Sequence, residues 1–371
     1  MGTLRCLATI PLLLLAACAA SAPPGRPGRW AAADLLFHRE PRWLGADAAY
    51  SVPLGSDRFL WLFGDTFIAT TPERIRRRSV MVRNSVALQT GADPTVAAIT
   101  FHWGEAAGAP SSFFPEERDQ FYWPLHGVRL RDGTLVLFFT VLHNTPGEGL
   151  GFAADGWAIA RVNSKEADQP ADLWKPDFVR PAVTPPGIIL GQSVLELDGW
   201  IYVFGIREPG SHAGVLARFQ PAALSAGHVD EGEGWCGPAR GWLRWDGLKA
   251  TDLADVLPDA GPECSLHKSP DGEFLHHMSL GFGSTSIARS HAPEITGPWS
   301  RPEVIFRPPE SDLPGILVYA GKAHPWIDAG RDEKGKPLLA ATYASNTLND
   351  LARLLDDWSL YFPRFVRLAP R

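Results

Sequence analysis

Positive charge is in short supply in this sequence. Thirty-five Lys and Arg stand against 41 Asp and Glu, a formal net charge of -6. A protein that tracks nucleic-acid phosphates usually carries a basic surplus, so nucleic acid is not an expected partner. Long apolar runs are also missing at the N-terminus. Leu7 to Leu15 is interrupted by Pro11, and it is shorter than the about 20 residues that cross a bilayer. No Cys-x-x-Cys and no paired-histidine spacing suggests a zinc site. His276 and His277 are adjacent, so on a strand they would point to opposite faces. Methionine is down to 3, while Trp reaches 14 and Phe 19; the aromatic surface is rigid rather than adaptable. Helical periodicity is scarce, with one stripe at 348, 351, 354, 355 and 358. What fills the space is turn chemistry: 36 Gly and 33 Pro. With 45% hydrophobic and 20% charged residues the chain builds a large core, and the turn residues favour an all-β protein.

The N-terminus reads as an address. Arg5 gives a short positive region, an apolar run follows, and Leu15-Ala16-Ala17-Cys18 resembles a bacterial lipoprotein cleavage box. The resemblance implies a signal peptide over 1–17 and lipid on Cys18. Ala19 in the next position would favour the outer membrane of a Gram-negative cell. The alternative is an ordinary secretory signal cleaved elsewhere. Residues 18–33, with Pro23, Pro24 and Pro27, read as a flexible tether. Cys236 and Cys264 remain in the exported part, where an oxidising compartment would permit a disulfide between them.

The body of the chain, 34–371, is a divergent repeat. A polar residue leads, a turn rich in Asp, Gly and Lys follows, and an apolar strand closes the unit. The leading residues are Asp47, His126, Gln192, Glu263 and His324, separated by 79, 66, 71 and 61 positions. Turns at Asp132-Gly133, Asp198-Gly199 and Asp271-Gly272 are strong hairpin signals. Regular spacing of this size predicts one repeated β unit, and four-stranded units set radially make a five-bladed propeller. A β-sandwich is the alternative, although it gives no reason for a polar residue ahead of each hairpin. In a propeller the five leading residues converge on one mouth. Trp358 to Leu368 reads as a last strand that closes the circle near the N-terminal segment. Four arginines between Arg74 and Arg78 read as a solvated loop.

Phe63-Gly64-Asp65-Thr66, Arg83-Asn84-Ser85-Val86-Ala87, Glu263-Cys264-Ser265, Thr296-Gly297-Pro298-Trp299-Ser300, Ala323-His324-Pro325 and Tyr343-Ala344-Ser345-Asn346 together resemble one family. It is a bacterial family of secreted five-bladed propellers, labelled as a domain of unknown function, with some members assigned as endo-D-arabinanases. The sequence is more distantly similar to the five-bladed arabinanase and xylosidase glycoside hydrolases. The resemblance implies a carbohydrate substrate, a polysaccharide or oligosaccharide, and a monomer at the cell envelope held through its lipid alone. A central Ca or Na ion, present in some related propellers, is possible here, although no dense Asp-rich loop demands one.

Glycoside hydrolysis uses one carboxylic acid on the leaving oxygen and one carboxylate serving water or the anomeric carbon. Asp47 is the expected general base and Glu263 the general acid, with the separation of an inverting enzyme. Asp65 orients a carboxylate or belongs to the pair, and an Asp47–Asp65 pair is the rival assignment. His126, Gln192, Arg207, His324, Arg83, Asn84 and Asn346 are the expected substrate contacts. Each has a plainer reading: Asp65 as a turn cap, His324 as a buried structural histidine, Arg207 as a surface charge, and the tryptophans as filling between blades. A binding propeller without catalysis is the alternative function. The anchor has a direct check. Cys18→Ser should move the protein from the detergent phase to the aqueous phase on fractionation; unchanged partitioning removes the anchor.

Overall fold

The computed structural model describes residues 25–369, apart from 148–150, 183–184, 282–284 and 348. Five antiparallel sheets follow one another along the chain, each with its strands in chain order from the innermost outward. Blade one holds Trp43–Gly55, Arg58–Ala69, Ser85–Thr90 and Ala98–His102, with Ser79–Val82 added to its second strand. Blade two holds Gln120–Arg129, Leu135–Asn144, Phe152–Val162 and Asp177–Val179. Blade three holds Ile188–Leu197, Trp200–Arg207, Gly214–Phe219, Glu233–Trp235 and Trp242–Arg244. Blade four holds Cys264–Lys268, Phe274–Leu280, Ser286–Ala292 and Glu303–Phe306. Blade five holds Ile316–Arg331, Pro337–Thr347 and Arg364–Leu368, and its outermost strand is Gly28–Arg29 from the other end of the chain. The protein is a five-bladed β-propeller, and each of the five sequence repeats forms the inner hairpin of one blade.

Local sequence explains these hairpins. Ser56-Asp57 and Asp198-Gly199 take positive φ at both central positions, as a two-residue type I′ turn requires. The strands behind them are apolar without alternation: Leu135 to Phe139 is buried at every position. Blades stack on both faces, so each central strand needs two apolar sides. His276 and His277 follow this rule. His276 faces Phe204 and Trp299, with ring centroids 5.5 and 6.1 Å away, and His277 stacks on His267 at 5.3 Å.

The ring closes inside blade five, where the N-terminal strand completes the sheet. Gly28 pairs with Arg367 and Arg29 with Val366. Folded structure therefore starts inside the segment read as a tether, because the outer edge of blade five needs a partner strand. Cys18 and residues 1–17 lie outside the described residues. Arg29 pairs with Asp34 at 2.8 Å and Glu310 at 2.9 Å. Tyr343 donates to Glu310 at 2.7 Å, and the Phe365 amide donates to Asp34 at 2.6 Å. The closing strand begins at Arg364 rather than at Trp358. The helical stripe yields one short helix, Leu351–Asp356, capped by the Asp350 side chain.

Two sequence expectations fail here. The arginine loop is not wholly solvated. Arg76 is 1% exposed, between the rings of Phe67, Trp358 and Phe362. Its guanidinium donates to the carbonyls of Leu44 (2.9 Å), Leu354 (2.8 Å), Asp357 (3.0 Å) and Leu360 (2.6 Å). Fixed N–H donors in a planar fork suit this task. The disulfide is also absent: Cys236 and Cys264 are free, buried thiols. Cys236 follows the fourth strand of blade three, while Cys264 opens the innermost strand of blade four, so they sit at different radii of the ring.

Burial gives the fold a pH dependence. It pulls His126 and His267 down to about 4 and His276 to about 3, and it holds His277 and His324 well below 6.5. These imidazoles are neutral in the fold and take protons on unfolding below about 6.5. Their stability is therefore present above that pH and is lost as pH falls toward about 4, at up to about 1.4 kcal/mol per pH unit for each. His38 and His102 are lowered as well, and Asp34, Asp47, Asp65 and His212 are raised and act in the opposite sense, which leaves four groups against seven. Lowering the pH from 7 to 5 should lower the melting temperature; a flat or rising profile would contradict this account.

Candidate functional site

The mouth lies where the innermost strands begin. Blade one supplies Asp47 from a strand that breaks its register repeatedly. Ala46 pairs with Thr66 and Ala48 with Phe63, which leaves Asp47 opposite Gly64-Asp65. Ala48 and Ala49 take φ of 62° and 57°, a left-handed stretch that turns the Asp47 side chain toward the axis. Gly64 makes room for it: a Cβ there would lie 2.5 Å from Asp47 Oδ1. This accounts for the glycine of Phe63-Gly64-Asp65-Thr66.

Three carboxyl groups meet, each with its own partners. Asp47 Oδ2 accepts from the Tyr319 hydroxyl at 2.7 Å and the Tyr361 hydroxyl at 3.4 Å. Burial and then the charges of Glu263 and Asp65 push Asp47 up to about 8. Asp65 Oδ1 accepts from Trp123 Nε1 at 3.0 Å, and Arg83 lies 3.6 Å from Oδ2. Burial raises Asp65 to about 6 against the pull of Arg83 and Trp123. Glu263 Oε2 accepts from Lys322 Nζ at 2.7 Å. Burial and the Asp47 charge keep Tyr319 and Tyr361 protonated, so both phenols act as donors to Asp47.

Lys322 is a functional residue that the repeat pattern missed. It is 1% exposed on the innermost strand of blade five. Besides Glu263, its ammonium donates to the carbonyls of Ala48 and Ala320. Tyr50 offers its ring face at 4.4 Å. The signal was a lysine inside the mostly apolar first half of its strand, two residues ahead of the His324 that took the attention. Tyr319 and Tyr361 carried no repeat signal. Tyr361 reaches the mouth because Arg76 clamps the Leu360 carbonyl beside it to the blade-one carbonyl of Leu44.

Several expected substrate contacts serve the scaffold instead. His126 Nδ1 accepts from the Val194 amide at 2.9 Å, so its proton sits on Nε2, which donates to the Ser51 carbonyl at 3.1 Å. Its ring stacks on Trp326, 6.0 Å between centroids. His324 holds Ser51 Oγ at 2.7 Å and Thr342 Oγ1 at 2.8 Å. Both histidines lie below the mouth as ties between blades, around a cavity of about 10 Å³ that also touches Ser51, Lys322 and Trp326, room for a single water. Asn84 is a backbone clip, donating to the carbonyls of Phe114 and Tyr122 and accepting from the Phe114 amide. Arg207 ties down the outer segment of blade three through Asp255 and the carbonyls of Ala250 and Leu253. The Asn346 side chain accepts from the Thr347 amide.

Asp47, Asp65, Glu263 and Arg83 are the expected residues that the fold brings together. Gln192 is buried on the innermost strand of blade three. Its Oε1 finds no partner among the described residues, which leaves an acceptor for a hydroxyl donor. Trp123 joins the site through Asp65 and packs edge-on against Phe152 at 4.5 Å. Trp157, by contrast, is buried against Phe138, Phe219 and Trp245 as inter-blade filling.

A comparison with curated proteins gives no match. Among solved structures, a hydrolase candidate from Bacteroides ovatus ATCC 8483 superposes with a TM-score of 0.69 at 17% identity, covering 94% of this chain and 93% of that one. It shares the propeller fold. An α-L-arabinofuranosidase of Podospora anserina, solved with cellotriose, reaches 0.47 at 12% identity over 89% of this chain and 92% of its own. An exo-β-1,3-galactanase of Phanerochaete chrysosporium, solved with β-1,3-galactotriose, reaches 0.47 at 11% over 87% and 60%. Residues 32–370 match the family described as Domain of unknown function (DUF5005), which is the family to which this chain belongs.

Proposed function

We propose that the protein is a glycoside hydrolase acting on an arabinofuranose-containing or related polysaccharide, lipid-anchored at Cys18 in the bacterial cell envelope. The observation that carries the activity is the convergence of Asp47, Asp65 and Glu263 on one mouth with unlike surroundings. Asp47 is pushed up to about 8 among phenols, while Glu263 is ion-paired with Lys322. Hydrolysis of a glycosidic bond needs this asymmetry: one carboxyl that carries a proton and one that is ionised. Asp47 and Glu263 form the reacting pair, and Asp65, fixed by Trp123 and Arg83, orients and polarises Asp47. The pair belongs to blades one and four, with the Lys322 ammonium of blade five between them, which suits the wider separation of an inverting enzyme. Gln192 and Trp123 are the proposed sugar contacts.

The test is cleavage of arabinans, xylans and other furanoside polymers by the purified chain, with the anomer of the first product read by NMR. Asp47→Asn and Glu263→Gln should each lower kcat by about 10²–10⁴-fold. Unimpaired cleavage in either variant removes that residue from the pair. Oligosaccharide binding without cleavage, equal in wild type and both variants, would replace the enzyme with a binding protein. Asp47→Asn carries a second expectation. The raised Asp47 contributes stability that is present below about 3.8 and lost as pH rises through about 8. Asparagine has no such loss. The variant should therefore melt at the wild-type temperature near pH 4 and above it at pH 8.5. Equal melting temperatures at both pH values would contradict the buried, raised carboxyl.

A further inference from the structure

Each carboxyl of the mouth has a different counter-charge, and the difference is geometric. Asp65 has the Arg83 guanidinium at 3.6 Å. Glu263 has the Lys322 ammonium at 2.7 Å. Asp47 receives hydrogen bonds only from the neutral hydroxyls of Tyr319 and Tyr361 among the described residues. Lys322 has no freedom to turn toward Asp47. Its three N–H donors are matched by three acceptors, Glu263 Oε2 and the carbonyls of Ala48 and Ala320. At 1% exposure it cannot exchange that carboxylate for water, and a buried ammonium left without its partner is costly.

We propose that Lys322 is a positioning residue that holds Glu263 as the carboxylate and leaves the transferable proton on Asp47. The inference rests on the hydrolase reading and reverses the sequence-level assignment of acid and base. Asp47 gives its proton to the glycosidic oxygen as the bond from that oxygen to the anomeric carbon breaks. Glu263 takes a proton from the water whose oxygen bonds to the anomeric carbon. One C–O bond is broken and one is made. The proton gained by Glu263 leaves to solvent, and Asp47 regains one from solvent.

The other titratable groups around the pair do not supply a competing charge. Glu263 is faced by Asp47 and Tyr50 of blade one, Tyr319 and Lys322 of blade five and its neighbour Cys264. Asp47 is faced by Asp65, Glu263, Tyr319, Tyr361 and Lys322. Burial holds the tyrosines and the cysteine neutral. Lys322 is thus the one cation in this set, and it is bonded to Glu263.

The test uses the full chain with ¹³C-labelled side-chain carboxyls, the Asp47 and Glu263 signals being assigned from Asp47→Asn and Glu263→Gln. At pH 6.5 the wild type should present Glu263 ionised and Asp47 protonated; the opposite pattern overturns the proposal without Lys322→Met having to fold. In Lys322→Met, Glu263 should titrate about one pH unit or more higher. The acidic limb of the pH–rate profile should move with it, and Lys322→Arg should restore both. A Glu263 titration unmoved in Lys322→Met overturns the proposal. With an activated aryl leaving group, Asp47→Asn should recover activity and Glu263→Gln should not; the reverse restores the original assignment. A wild-type chain that cleaves no glycoside removes the hydrolase reading instead, and the carboxyl titration alone then decides for or against the division of charge by Lys322.

Discussion

Ring closure is the constraint on which the rest of this propeller depends. Five twisted sheets leave a seam, and here the seam falls inside the last blade, where the N-terminal strand completes its sheet. It is held by two residues of strand pairing at Gly28 and Arg29 and by a cluster of Arg29, Asp34, Glu310 and Arg364. Each charge in that cluster is compensated by another, and removing one would leave its partner unpaired in a partly buried interface. The mouth is built where that blade meets the first. Tyr319, Lys322 and Tyr361 come from blade five and its loop, while Asp47, Ala48 and Ser51 come from blade one. A chain whose ends failed to meet would lose its carboxyl geometry before it lost its individual blades.

A second layer supports the first. Under Lys322, Ser51 collects His126, His324 and Trp326, drawn from blades two and five, on a single residue of blade one. Such a polar knot in a dry interior specifies one arrangement when its members are satisfied. It gives the mouth a rigid floor, and the loop tied by Arg76 gives it a rigid wall. Asp47 and Asp65 can then be held in an environment that does not favour their ionisation. This is the usual tension between a site's chemistry and its stability.

The architecture was legible because each inner hairpin announces itself with an Asp-Gly or related turn ahead of an apolar run, and five such units fill the chain. Asp47 and Glu263 were legible because carboxyls at the start of inner strands have one place to converge, while Asp65, on the second strand of blade one, stood out through Phe63-Gly64-Asp65-Thr66. Depth along the axis was not. His126 lies three residues beyond Trp123 on its strand, and His324 two beyond Lys322, and those few residues separate the floor from the mouth. Bulges such as the one between Ala46 and Ala48 decide which side chains face the axis, and they come from backbone geometry that no spacing reveals. Asn84 and Arg207 misled for a common reason. A polar side chain near irregular backbone satisfies stray carbonyls, and in sequence this looks the same as a residue waiting for a ligand.

The closing strand also decides how the molecule faces its surroundings. Gly28–Arg29 runs antiparallel to Arg364–Leu368, and the Gly25 amide bonds to the Arg331 carbonyl at the far end of blade five's inner hairpin. The chain therefore enters the propeller on the face away from Asp47 and Glu263. The N-terminal strand and the carboxyls thus occupy opposite ends of the inner strands. A ligand that reaches Asp47 and Glu263 therefore does so without passing the strand that completes the ring.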